Sequence, residues 1–259
     1  MTAEERDEDV LIYELRDQVA WLTLNRPRAR NALNHALREG LRAGFRRFAA
    51  DPDARVAVLR GAGPSFCAGA DLREMAETSL AVPPPDWIPH LQRDSRVEKP
   101  VIAAVQGSAL AGGFLLAQMA DLCVAANDAR FGITEAHWGR GAPWAAPLPW
   151  MMPPRVALEL LVVAEPISAA RAYELGLVNR LVEPERLEEA AAELAATIVA
   201  NAPLTVAAGK RMVHAVAGLP LEQAFALADE IYDPVYLSED AKEGPRAFRE
   251  KRAPRWRGR

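Results

Sequence analysis

The chain has only two cysteines in 259 residues, Cys67 and Cys123. They stand far apart, without a CxxC pair, so neither a disulfide framework nor a zinc site is expected. Histidine is also scarce: His35, His90, His137 and His214 are scattered at no metal-ligand spacing. Lysine is confined to Lys99, Lys210, Lys242 and Lys251, and the other basic residues are arginine. Acids and bases are mixed along the chain, the net charge is −4, and no lysine-rich helix occurs, which argues against a nucleic-acid partner. No run of about 18 apolar residues exists, so no membrane-spanning helix and no membrane partner are expected. The acidic start, MTAEERDEDV, lacks the apolar core of a signal peptide, and a reduced, cytoplasmic protein is the expectation.

What remains is an ordinary globular composition, 50% hydrophobic and 25% charged, enough for a sizeable core and one large domain with a smaller appendage. LIYEL (11–15) and VAWLTL (19–24) read as a β-hairpin. Leu37, Leu41, Phe45 and Phe48 recur at helical spacing up to a stop at Asp51-Pro52. RVAVLRG (55–61), VIAAVQG (101–107) and DLCVAA (121–126) read as buried strands, the second running directly into a helix. Asp71 is placed to cap a short helix through Met75. Pro83-Pro84-Pro85 excludes regular structure at the end of 77–85, read as a mobile segment. Strand, loop and helix alternate through the middle of the chain, which argues for parallel βα units. From 154 onward the pattern is mostly helical. Pro220 and Pro234 bracket one helix, Ser238 opens the last, and the alanine-rich helix near 190–200 belongs to a helical appendage.

Two glycine-bearing segments, FCAGAD (66–71) and ALAGG (109–113), each follow a buried strand and precede a helix. Such junctions lie beyond the carboxyl ends of parallel strands, where α/β proteins bind ligands. A helix N-terminus offers unpaired N–H groups and partial positive charge. Two such junctions side by side can aim two donors at one oxygen, an oxyanion hole. Read singly, each segment fits a tight turn equally well, and neither is a P-loop or a GxGxxG fingerprint. The helix in ALAGGFLLAQMAD is too short to span a membrane and too apolar for a surface, so it is expected to be buried on all sides.

LNRPRARNALN (24–34), FCAGADLREM (66–75), KPVIAAVQGSALAGG (99–113), ADLCVAANDARFGITEAHWG (120–139), AYELGLVNRLV (172–182) and EGPRAFREKR (243–252) run in one order over nearly the whole chain. In them the sequence resembles the crotonase, or enoyl-CoA hydratase/isomerase, family. The resemblance implies an α/β fold: a crotonase-like ββα spiral core over residues 1–200 and a C-terminal helical trimerisation region over 201–259. It implies a homotrimer or dimer of trimers. It also implies an acyl-CoA thioester substrate, with no cofactor because coenzyme A is part of that substrate. The thioester carbonyl would accept from the N–H groups of Ala70 and Gly112, the positions that match the family's two donors.

Typical hydratases of the family carry two glutamates. One stands three residues beyond the oxyanion glycine, where this chain has Leu115. The other follows FG-x-x, and here it is Glu135. Water addition is easiest to arrange with both acids, whereas moving a double bond needs a single base. The reading is therefore an isomerase-like one-acid site, with hydration by Glu135 alone or a catalytically silent acyl-CoA-binding subunit as alternatives. Burial beside Trp138 is expected to raise the pKa of Glu135. His137, two residues on, would face the same side on an extended segment. Ala68, Asp71, Leu72, Leu115 and Trp138 are expected at the substrate. Trp138, Trp144 and Trp150 are candidates to line an altered acyl pocket. By resemblance, Arg28 contacts the nucleotide, and Phe248 and Lys251 reach a neighbouring subunit's CoA. Asp121 reads as a strand-start or capping residue, and Cys67 as packing.

Overall fold

In the computed structural model, which describes residues 9–77, 82–93 and 95–259, the chain opens with β1 (Leu11–Arg16) and β2 (Val19–Leu24), an antiparallel hairpin. Its two-residue turn, Asp17-Gln18, has φ of +49° and +65°, as a tight hairpin requires. Helix α1 (His35–Ala50) follows, its N-cap Asn34 accepting from the Leu37 N–H at 3.0 Å. Next come β3 (Val56–Gly61), α2 (Leu72–Glu77), β4 (Val101–Val105), β5 (Ser108–Leu110) and α3 (Gly112–Met119). Then come β6 (Leu122–Ala126), β7 (Arg130–Gly132), α4 (Leu148–Met151), α5 (Pro154–Val162), β8 (Ile167–Ser168), α6 (Ala169–Glu174) and β9 (Arg180–Val182). Helices α7 (Leu187–Val199), α8 (Pro203–Ala215), α9 (Leu221–Tyr236) and α10 (Glu239–Arg249) complete the chain.

The main sheet runs β1-β2-β3-β4-β6-β9, parallel from β2 onward. Both of its faces are covered, which is why its strands read as continuous apolar runs. Ala20, Leu22, Ala57, Leu59, Ala103 and Ala125 turn to the face that α1 and α3 cover. Trp21, Val58, Ile102 and Val124 alternate with them and pack against Ala190, Ala191 and Ala195 of α7. The alanine-rich helix is thus a layer of the core rather than an appendage; its small side chains let it lie close to the sheet. A second sheet, β5-β7-β8, stands beside the first.

Other expectations also shift. The strand at 101–105 does not lead straight into a helix, because β5 intervenes and pairs with β7. Pro234 does not bound its helix but lies inside α9, where the helix packs along α8. Asp121 does start a strand and does more: its Oδ2 accepts from the Val101 N–H and lies 2.8 Å from Lys210 Nζ, while Oδ1 sits 3.1 Å from His214 Nε2. It therefore ties α8 to the sheet. Ser238 caps α10 as expected, its Oγ accepting from the Ala241 N–H. Pro83–Pro85 carry no helix or strand. The readings for the acidic start (1–8) and for 78–81 fall outside the described residues.

Candidate active site

The carboxyl ends of β3 and β5 bring the two glycine-bearing segments together. Cys67 pairs with Ala109: its N–H donates to the Ser108 carbonyl at 2.8 Å, and its carbonyl accepts from Leu110 at 3.0 Å. Gly69 has φ of +95°, and a Cβ there would lie 2.8 Å from both the Leu110 carbonyl oxygen and the Ala111 Cβ, so only glycine fits. Ala111 has φ of +51°, a region alanine rarely occupies. It is held there by its N–H to the Gly132 carbonyl, 2.8 Å, and by its own carbonyl, which takes the Leu115 N–H at 3.0 Å. Strain of this kind costs about 1–3 kcal/mol and collects at functional sites.

Several neighbouring donors are committed. Ala68 donates to Arg30, Leu33 to Gly69, and Asp71 to Leu33. Among the described residues, no acceptor takes the N–H of Ala70 or of Gly112, the first residue of α3. Both residues line the same cavity, whose volume is about 1500 Å³. Gly112 to Met119 are buried throughout, as the apolar run implied.

The loop before α1 braces this arrangement from behind. Asn31, fully buried with φ of +55°, donates to the carbonyls of Ala62 and Ser65 at 2.9 and 2.8 Å and accepts from the Arg26 N–H at 2.8 Å. Arg26 also pairs with Asp71 at 3.0 Å. Asp71 Oδ1 accepts from the Arg73 N–H at the start of α2, so Asp71 is both a cap and half of an ion pair. Arg38 lies over the Trp87 ring at 4.2 Å and pairs with Glu74 at 2.7 Å.

Glu135 opens a 3-10 turn, Glu135–Trp138, on the cavity wall. Its Oε1 accepts from the Trp144 indole N–H at 3.0 Å, and its Oε2 is buried without a partner. Burial raises its pKa, opposed by hydrogen bonds from its own N–H and from Trp144. The turn corrects two expectations. Residues 135–138 are not extended, although His137 lines the same cavity as Glu135, and the indole that donates to the carboxylate is that of Trp144, not Trp138. Trp144 packs edge-to-face on Phe114, with centroids 6.0 Å apart.

Ala68, Leu72, Leu115, Trp138 and Arg28 line the cavity, Leu115 at 3% exposure and Trp138 at 60%. Trp150 does not line it and is 76% exposed. The loop that carries it turns through α4, which puts its ring outward. Phe248, 87% exposed on α10, and Lys251 beyond it also lie off this cavity.

A sequence model of the family described as enoyl-CoA hydratase/isomerase matches residues 14–259. The chain belongs to the enoyl-CoA hydratase/isomerase family. It is an acyl-CoA enzyme of that family with the crotonase fold. Over 272 residues, and 100% of both chains, it is 39% identical to enoyl-CoA hydratase EchA19 of Mycobacterium tuberculosis. It is 38% identical to (E)-benzylidenesuccinyl-CoA hydratase of Thauera aromatica, over 95% of this chain and 98% of that one. The crystal structure of enoyl-CoA hydratase EchA1 from Mycobacterium marinum superposes with a TM-score of 0.90 at 42% identity, covering 97% of this chain and 100% of that one.

Sequence reasoning missed two residues that shape the site of this family member. Asn31 left no signal beyond its place in a turn-rich loop. Trp144 was a candidate pocket residue, but nothing in its spacing from Glu135 announces the hydrogen bond between them.

Proposed function

We propose that the cavity takes an acyl-CoA thioester with its carbonyl oxygen between the N–H groups of Ala70 and Gly112, and that Glu135 is the single acid/base. One observation carries the reading. Two backbone donors without acceptors share a cavity with a half-buried carboxylate that has one oxygen buried and unpartnered. Each donor of that kind is worth roughly 2.7–4 kcal/mol in the transition state. Glu135 takes a proton from C2 of a 3-enoyl thioester. The charge spreads into a dienolate held at the oxygen, and the same proton returns at C4 to give the 2-enoyl thioester. The reverse direction uses the same groups. Leu115, where a second acid would stand, makes this one-base reaction the leading assignment. Coenzyme A arrives with the substrate, so the reaction as written uses no further cofactor.

A second reading, hydration by Glu135 alone, is supported by the two relatives named above, both hydratases. A panel of 2-enoyl and 3-enoyl thioesters of varied acyl size separates the two readings by product. Glu135→Gln is expected to remove most turnover while CoA-ligand binding persists. A variant at wild-type rate refutes the role of Glu135, and binding without turnover across the panel identifies a silent subunit instead.

Arg28 on the cavity wall suits a phosphate of the nucleotide. Phe248 and Lys251 are assigned to a neighbouring subunit's CoA. Leu221, Phe225, Tyr236 and Leu237, all exposed on or just after α9, support a trimer or dimer of trimers, because an apolar surface of this kind marks an interface. Light scattering tests it, with a mass that is a multiple of three chains of 28.2 kDa. No single helix among the described residues is long and apolar enough to cross a membrane. The two unpaired, buried thiols support the cytoplasmic setting, which cell fractionation tests.

A further inference from the structure

We propose that Trp144 is the positioning residue for Glu135: its indole N–H holds Oε1 and so fixes the plane in which the carboxylate meets the substrate. The inference rests on the one-acid reading above and deepens it. A single base that must reach two carbons of one substrate needs a fixed carboxylate plane. A carboxylate held by nothing turns freely about its terminal bond, because that torsion has broad wells. Here the 3.0 Å indole bond fixes one oxygen. The other is buried and unpartnered, so the two oxygens are unequal before any substrate arrives.

Trp144 is itself held in place. Its ring meets Phe114 edge-to-face at 82°, and Phe114 meets Phe131 in the same manner at 66°. Its backbone carbonyl accepts from Gln118 Nε2 at 3.3 Å. Phe114 and Gln118 both belong to α3, the helix that starts at Gly112. One rigid helix therefore sets both the Gly112 N–H and, through Trp144, the carboxylate. The register between oxyanion donor and base is a property of α3, not of the loop that carries Glu135.

Among the described residues, the side-chain donor on the Glu135 carboxylate is the indole, and Oε2 has no partner. The ionisable neighbours on Glu135's own segment are His137 and Arg140, and α5, packed against that segment, carries Arg155 and Glu159. Helix α3 carries none.

The test uses Trp144→Phe, which keeps an aromatic ring against Phe114 and deletes the N–H, and Trp144→His, whose Nε2 stands as many bonds from Cβ as the indole nitrogen. Both variants and wild type are followed by kcat/KM against pH, on the thioester that turns over best. Infrared titration of the Glu135 carboxyl runs alongside, with Glu135→Gln marking its band, so a pKa is read even where turnover is lost. In W144F the acidic limb and the infrared pKa are expected to rise by about one unit, because a donor to the charged form is gone. The kcat is expected to fall at least about tenfold with KM nearly unchanged, since the lost term acts on the reacting geometry. W144H is expected to recover part of both. An unchanged pKa in W144F, or a loss confined to KM, overturns the positioning role while leaving the Glu135 assignment intact. Wild-type turnover in E135Q overturns the underlying reading itself.

Discussion

Gly112 and Gly113 are neighbours at the start of α3, yet a methyl group should be tolerated at one and rejected at the other. On Gly113 a Cβ would lie 2.1 Å from the Cys67 carbonyl oxygen, 2.8 Å from its carbon and 2.9 Å from the Cys67 Cβ. That carbonyl is bonded to the Leu110 N–H at 3.0 Å inside the Cys67–Ala109 pairing, so it cannot retreat without opening the junction. On Gly112 the Cβ would meet Ile88 Cδ1 at 2.7 Å and Leu33 Cδ1 at 2.9 Å, the ends of side chains that can turn aside. Overpacking against backbone sits at the top of its usual range, so Gly113→Ala is expected to cost about 3 kcal/mol or more and Gly112→Ala about 1 kcal/mol. For a domain of this size that is a fall of about 6–12 °C in Tm for the first and about 2–4 °C for the second.

The functional effect should follow the same order. Displacing the Cys67 carbonyl drags Ala68 to Ala70 away from α3, which separates the two proposed donors. Losing one donor lowers kcat by about 100-fold to 1000-fold. Gly112→Ala leaves both N–H groups in place and should change KM more than kcat. Scanning calorimetry at one fixed rate, with steady-state kinetics on the folded fraction, reads both effects. If the Gly113 variant melts with wild type, or if the Gly112 variant is the less stable of the two, the argument that these glycines exist for close approach is wrong.

Burial penalises the charged form of Glu135, so its folded pKa lies above the unfolded one. Its favourable contribution to stability is then present below the unfolded pKa and is lost as pH rises through the folded pKa. Glu135→Gln is accordingly expected to melt above wild type at pH 8, with the gap closing as pH falls into the carboxylate range; a constant gap in calorimetry contradicts this. Asp121→Ala strands the Lys210 ammonium, whose side chain is 9% exposed. The expected loss is about 3 kcal/mol in urea unfolding. Because Asp121 lies off the large cavity, kcat/KM of the folded variant should hold.

The sheet was legible because its residues obey a simple rule: strands covered on both faces must be apolar throughout, and RVAVLRG, VIAAVQG and DLCVAA are. The hairpin, α1 and the caps at Asp71 and Ser238 were legible for equally local reasons. What failed was non-local. β5 has three residues and exists only because β7 offers it a partner, so no periodicity announces it. The alanine-rich helix looks like an appendage until the sheet it covers is known. Trp138 and Trp144 are indistinguishable in sequence as neighbours for Glu135. Which one donates to it depends on how the chain returns after the 3-10 turn at 135–138, which brings the Trp144 indole onto the carboxylate.

The same turn bears on the choice between proton transfer and hydration. A water that attacks a double bond must be held by an acceptor, and a proton must be given to the neighbouring carbon. Two carboxylates can divide these tasks. With Leu115 in the wall where a second acid would stand, one carboxylate, already hydrogen-bonded by Trp144, is left to do both. It must accept from the water and release a proton in the same step. A shuttle between C2 and C4 asks less of it, since the carboxylate takes a proton and returns it in sequence, with no third molecule to orient. The apolar side chains of Leu115 and Trp144 on the cavity wall raise the cost of seating a water further, because a water needs two to four polar partners to be held. Trp144→His, which brings a more polar ring to that wall, should therefore move product partitioning toward hydration, and an unchanged product ratio on the thioester panel contradicts this.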